Sequence, residues 1–139
     1  MIDHENKRIH VSAVVLRHPE TGWILTVRKR GTTMFMQPGG KPDPGEGPLE
    51  TAVREIREEL GAELDPASMR LLGVYEAPAA NEGGYTVVGT VFTHPPVEVT
   101  VPAAEIEEIR WVDPDAPMSE DLAPLMTHHI VPALRELEH

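Results

Sequence analysis

The sequence predicts one mixed α/β domain, and three observations carry that expectation. β-Branched runs lie on both sides of one strongly amphipathic helix, a second helical stretch closes the chain, and no internal repeat or low-complexity tract interrupts them. The 139 residues suit a single compact core. We expect the domain to span 1–136 and read 137–139 as the remnant of a purification tag. An apolar share of 40% beside 25% charged residues is ordinary globular composition and argues against a disordered chain.

The elements follow in order. The first seven residues are largely polar and are expected to fray. Ile9 to Leu16 and Trp23 to Val27 read as two strands, joined by the turn His18-Pro19-Glu20-Thr21-Gly22. From Met34 to Gly45, three prolines and three glycines force a loop. A helix starts at Pro48, where a missing N–H costs nothing, with Gly47 as its cap. Leu49, Ala52, Val53, Ile56 and Leu60 recur at helical spacing to form one buried stripe, and Gly61 ends it. Leu71 to Tyr75 and Tyr85 to Phe92 are strand-like around the turn Asn81-Glu82-Gly83-Gly84. Val97 to Val101 and Ile106 to Val112 are shorter strands. Leu122 to Leu137 reads as a closing helix in which Pro132 predicts a kink or a late start. Met34, Phe35 and Met36 are read as core side chains, with a ligand base resting on one of them as the other reading, and Trp23 and Trp111 as core.

Charge and composition exclude several classes of function. Twelve Lys plus Arg against 23 Asp plus Glu leave a formal charge of −11, the wrong sign for a nucleic-acid polymer or an anionic membrane. No segment approaches the roughly 20 apolar residues of a bilayer span, and no signal-like segment opens the chain. Zero cysteines rule out disulfides and thiolate metal sites, so we expect a cytoplasmic protein.

The chemistry is concentrated on the first helix. Each residue turns about 100°, so with Glu55 at zero, Glu58 falls near −60° and Glu59 near +40°. The three carboxylates share one arc, expected opposite the apolar stripe, with Arg54 at i,i+4 from both Glu50 and Glu58 to brace them. A solvated acidic face explains this pattern. So does a set of hard oxygen ligands for Mg²⁺ or Mn²⁺. Like charges at helical neighbour spacing, two of them in the last turn where the dipole disfavours anions, weigh against the first reading by some tenths of a kcal/mol.

The preceding loop breaks the tie. Gly40, five residues, Glu46, seven residues, Arg54-Glu55-Ile56, one residue, Glu58-Glu59, one residue, Gly61: this resembles the Nudix box, with every fixed polar and glycine position filled from Gly40 to Ala62. Ala62 departs from the Ile, Leu or Val usual there. The resemblance extends over 8–136 and implies an α/β/α sandwich with a mixed sheet. It also implies metal-dependent hydrolysis of a nucleoside diphosphate linked to another moiety, with Mg²⁺ or Mn²⁺ as cofactor and a small nucleotide as partner. On that resemblance Glu55, Glu58 and Glu59 are the metal carboxylates, a carbonyl of Gly39 or Gly40 completes the shell, Arg54 orients them, and Glu46 bonds back to the loop. The alternative is a catalytically silent nucleotide-sensing or partner-binding module, which a degenerate box would favour.

Weaker candidates surround this centre. Glu105 and Glu108 stand where some relatives place a further glutamate as base or ligand, beside Glu55 as the third candidate base. Lys41 and Arg28 are the basic residues expected to reach phosphate oxygens, with Lys29 and Arg30 adjacent. Adjacent helical residues point about 100° apart, so His128-His129 is read as surface. Pro78, sixteen residues past the box, resembles the placement in ADP-ribose pyrophosphatases, yet the chain is equally like the smaller nucleoside-triphosphate members.

Overall fold

A mixed sheet carries the fold, and its middle strand is the β-branched run nearest the start of the chain. The computed structural model describes residues 2–99 and 105–137. β1 (Ile2–Asp3), β2 (Arg8–Val15), β3 (Ile24–Lys29) and β4 (Gly39–Gly40) precede the helix α1 (Pro48–Leu60). After a short 3₁₀ turn at Pro66–Ser68 come β5 (Arg70–Pro78), β6 (Thr86–Thr93), β7 (Ile106–Val112) and the closing helix α2 (Val131–Leu137). The larger sheet runs β1-β2-β6-β5, with β4 also paired to β2, while β3 and β7 form a second, two-stranded sheet. β2 and β6 are parallel and the other ladders antiparallel. A parallel pair needs a long crossover, and α1 lies within it.

Alternation along β2 decides what covers each face. Val14 and Leu16 pack with Ala52, Ile56 and Leu60 of α1, whereas Ala13 and Val15 pack with Met126, Ile130 and Leu134 near the end of the chain. Helices on both faces make the α/β/α sandwich. α1 keeps its expected limits: Gly47 N–H donates to the Glu50 carboxylate at 3.3 Å at one end, and Gly61 N–H reaches the Arg57 carbonyl at 3.0 Å at the other.

Several expectations are corrected. The opening residues do not simply fray: Ile2 and Asp3 pair with Ile9 and Arg8, and Asp3 accepts the Asn6 N–H at 3.1 Å to close the turn. Positions 97–99 carry no strand, as the two prolines at 95 and 96 supply no N–H to a ladder, and Thr100 and Val101 lie outside the described residues. Trp23 is 41% exposed rather than core. Leu122 bridges to Phe35 instead of starting the closing helix, whose turns begin at position 124. There Met126–Ile130 form a π-helical turn, with Val131 N–H bonded to the Met126 carbonyl. Pro132 lacks an N–H and its ring crowds the carbonyl four residues earlier, and widening the preceding turn relieves both. Leu137 ends α2, while Glu138 and His139 of the segment read as a tag lie outside the described residues.

Ile56 is fully buried between α1 and the sheet. Ile56→Ala should therefore cost about 2–5 kcal/mol in denaturant melts, with the slope of the transition unchanged.

Candidate active site

A cavity of about 480 Å³ opens where the glycine loop of β4 meets α1. Its polar wall includes Lys29, Gly40, Lys41, Glu55, Glu58 and Glu105, and its apolar wall includes Val11, Met36, Val87 and Leu125. The loop is held close to β2, with Ser12 opposite Gly40 and Ala13 opposite Gly39. At Gly39 the backbone has φ of 151°, and a Cβ there would stand 2.0 Å from the Ser12 carbonyl oxygen. At Gly40 a Cβ would stand 2.5 Å from the carboxyl carbon of Glu55. Both positions need glycine because other groups already fill the space a side chain would take.

Glu59 is the least expected feature of the site. Its side chain is 0% exposed, although the helical wheel was expected to set it opposite the apolar stripe. The wheel itself explains the correction: Ala52 falls near +60°, only about 20° from Glu59, so this carboxylate borders the stripe while Glu58 faces solvent. Glu59 Oε1 accepts the Gly39 N–H at 2.8 Å. Its Oε2 is buried without a hydrogen bond, with the Lys29 ammonium 3.7 Å away. Burial pushes the Glu59 carboxyl up to about 7, against which Lys29 and the Gly39 N–H act in the opposite direction. Burial also raises Glu55, with Arg54 opposing.

Arg54 organises the remaining carboxylates. Its guanidinium grips Glu46 with two bonds of 2.8 Å, reaches Glu55 at 2.8 Å and Glu58 at 3.3 Å, and donates to the Lys41 carbonyl at 3.0 Å. Glu46 in turn accepts the Asp43 N–H at 2.9 Å and the Thr51 hydroxyl at 2.8 Å. Arg54, foremost among these partners, holds the Glu46 carboxyl down at about 2. The expected brace from Glu50 does not form with Arg54, because Glu50 caps the helix instead.

The outer candidates separate. Lys41 and Glu105 line the cavity. Arg28 does not: its guanidinium is engaged by the Thr32 carbonyl at 2.9 Å and by Glu108 at 3.3 Å, which also turns Glu108 outward. Lys29 supplies the cation at the position given to Arg28, because alternate strand residues face opposite sides. Phe35 is buried with the Arg110 guanidinium 3.8 Å over its ring, so Met36 is the member of that trio that lines the cavity. His128 is exposed, and His129 stacks on Tyr75 and bonds to the Glu76 carbonyl.

The chain matches the NUDIX domain family over residues 6–135. It belongs to that family. A Bacillus subtilis (strain 168) protein whose provisional name is 8-oxo-dGTP diphosphatase is 31% identical over 102 residues, covering 73% of this chain and 65% of that one. An ADP-ribose pyrophosphatase of Methanocaldococcus jannaschii is 39% identical over 72 residues, covering 50% of this chain and 41% of that one. The chain thus spans less than two thirds of either relative. The crystal structure of a MutT protein from Methanosarcina mazei Go1 superposes with a TM-score of 0.78 at 23% identity, covering 99% of this chain and all of that one, and supports the fold.

The Nudix carboxylates do not converge as expected. Among the described residues, no three His, Asp or Glu side chains form a ready cation cage. Arg54 draws Glu55 and Glu58 one way, and Lys29 sits beside Glu59, so each anion already has a protein cation for company. The donor chemistry still fits a divalent ion. Glu59 offers a buried carboxylate oxygen with no hydrogen bond, and Glu55 is pressed against Gly40 beside the same loop.

Between pH 4.5 and about 7, folded Glu59 retains a proton that the unfolded chain has released, so rising pH drains stability through that window. Below it both states are protonated and the penalty vanishes. Glu59→Gln should therefore melt above the wild type in EDTA at pH 8, by as much as roughly 3 kcal/mol, and match it at pH 4. A Gln variant less stable than wild type at pH 8 would contradict the burial penalty. Arg54→Ala strands Glu46 and Glu55 without their cation and should lose about 2 kcal/mol or more at pH 7, measured by chemical denaturation.

Proposed function

We propose that this chain is a divalent-metal-dependent pyrophosphohydrolase that cleaves a nucleoside diphosphate linked to another moiety, with ADP-ribose-like compounds and nucleoside triphosphates as the substrate classes. The observation that carries the reading is the buried Glu59 carboxylate, bonded directly behind Gly39, which lines a cavity that also presents Lys29 and Lys41. A carboxylate desolvated this far is costly in a binding surface and useful where a cation arrives. The names of the B. subtilis and M. jannaschii relatives support both substrate classes.

Glu55, Glu58 and Glu59 are the carboxylates we assign to Mg²⁺ or Mn²⁺, together with a main-chain carbonyl of Gly39 or Gly40. Bound there, the ion would neutralise phosphate charge and make a water nucleophilic. The protein's own contributions are positional. Lys41, and Lys29 once Glu59 has another cation, bind phosphate oxygens as point charges. Arg54 keeps Glu55 and Glu58 at the edge of the cavity, and Glu46 holds the Arg54 guanidinium in place with two bonds. Glu105 lines the cavity and stands close enough for its charge to raise the Glu59 carboxyl, so it is the glutamate outside the box best placed to accept a proton from water.

One observation favours a second reading. Lys29 and Arg54 already pair with the carboxylates, as they would in a silent module that senses nucleotides without turnover. A panel of ADP-ribose, dNTPs, dinucleoside polyphosphates and NADH, assayed with Mg²⁺, with Mn²⁺ and with EDTA, separates the two. The hydrolytic reading expects turnover of at least one compound, abolished by EDTA, and no turnover of any would leave the sensing module. In the active case Glu58→Gln and Glu59→Gln should each lower kcat by orders of magnitude, and near-normal rates in both would overturn the ligand assignment.

A further inference from the structure

Three consecutive cations stand at the end of β3, and the middle one turns away from the other two. Arg28 pairs with Glu108 at 3.3 Å and Arg30 with Glu107 at 3.1 Å, both on β7. Lys29 instead reaches α1, with Nζ 3.7 Å from Glu59 Oε2. A bulge produces the split. Arg28 lies opposite Glu108, so a regular ladder would set Glu107 opposite Lys29, yet the register shifts and sets Ile106 there. Ile106 packs with Ile56 and Leu60 of α1, and cross-strand neighbours share a face, so Lys29 lies on the side of the helix.

The contact with Glu59 is not built like a structural ion pair. An ammonium that locks a carboxylate hydrogen-bonds it at about 2.7–2.9 Å. Glu59 Oε2 has no hydrogen bond, whereas its Oε1 is fixed by the Gly39 N–H at 2.8 Å. The partners also differ in exposure, at 0% for the Glu59 side chain and 37% for that of Lys29. Glu59 does not line the cavity, and Lys29 does. A cation coming from the cavity can therefore touch Oε2 only if a neighbour moves aside. Gly39 is held by its pairing with β2 and by Oε1, and the apolar residues of α1 and β3 are packed in the core. Lys29 is free to move on its flexible four-carbon stem, and its ammonium already has the cavity to move into.

We propose that Lys29 is a stand-in for the divalent ion: its ammonium covers Glu59 Oε2 in the metal-free protein and swings into the cavity when a metal takes that oxygen. The displaced charge is then available to a ligand's phosphate, so the anion site is complete only after the metal site is filled, and the two ligands favour each other's binding. This regulation rests on the metal-dependent reading of the site given above and deepens it.

The test uses the full chain at pH 8.5 without nucleotide. Titration calorimetry with Mg²⁺ compares the wild type with Lys29→Met, which keeps an apolar stem and removes the charge, and with Lys41→Met, which removes an equal charge elsewhere on the cavity wall. Lys29→Met should bind Mg²⁺ about fivefold tighter or more, and Lys41→Met should change by less than about twofold. Acetylation of the wild type, read by mass spectrometry, should modify Lys29 several-fold faster in Mg²⁺ than in EDTA, with Lys7, outside the cavity wall, unchanged. Equal or weaker Mg²⁺ binding by Lys29→Met, an equal gain in Lys41→Met, or Lys29 labelling that Mg²⁺ does not accelerate overturns the proposal. The labelling needs no variant, so it decides the outcome if Lys29→Met does not fold. Mg²⁺ binding to none of the proteins would overturn the metal reading and the proposal together. The expected binding and labelling without turnover in the substrate panel would overturn the hydrolytic reading alone and leave the role of Lys29 standing.

Discussion

The hydrogen bond from the Gly39 N–H to the buried Glu59 carboxylate ties the glycine loop to the last turn of α1. It lies in a desolvated place where water cannot replace it, and it becomes charge-assisted once Glu59 loses its proton. It also dictates spacing. The loop must lie against β2 closely enough for the bond to form, which leaves no room for a Cβ at either glycine of β4. α1 must in turn press its apolar stripe on β2 and β3, because Glu59 shares the border of that stripe. The box residues are thus a packing device as much as a chemical one.

A second tier of polar contacts holds what that bond leaves free. Loop residues 41–46 have little apolar content to bury, and Arg54 substitutes for a core beneath them by bonding Glu46 twice and the Lys41 carbonyl once. The same guanidinium keeps Glu55 and Glu58 facing the cavity. Stability of the loop and placement of the carboxylates therefore depend on a single side chain. Without a ligand, Arg54 and Lys29 offset part of the charge of Glu46, Glu55, Glu58 and Glu59, which eases the crowding of acids in a protein of net charge −11.

The cavity divides its recognition between charge and shape. Lys29, Lys41, Glu55 and Glu58 make its charged side, while Val11, Met36, Val87 and Leu125 offer apolar surface. Ser12, Thr32, Gln37 and Asn81 add neutral polar residues to the same lining. Such a division suits ligands that combine a polyphosphate with a less polar group.

Local pattern was enough to read α1 from Pro48 to Leu60, the strands around it, the box and the central part played by Arg54, because helical period, caps and fixed motif spacing are all properties of neighbours along the chain. The same logic read His128 and His129 as surface, which describes His128, whereas His129 is half-buried against Tyr75. Other features depended on residues distant in sequence. Glu59 is buried because β2 and the Gly39 loop close over it, and the wheel hinted at this only through its closeness to Ala52. Arg28 and Lys29 are adjacent, yet pairing with β7 sends Arg28 to Glu108 and leaves Lys29 for the cavity. Composition and period act through nearest neighbours and can be read from a string of residues. Burial, the pKa of a carboxylate and the absence of a hydrogen-bond partner are set by the whole surrounding volume, and that volume exists only once the chain has folded.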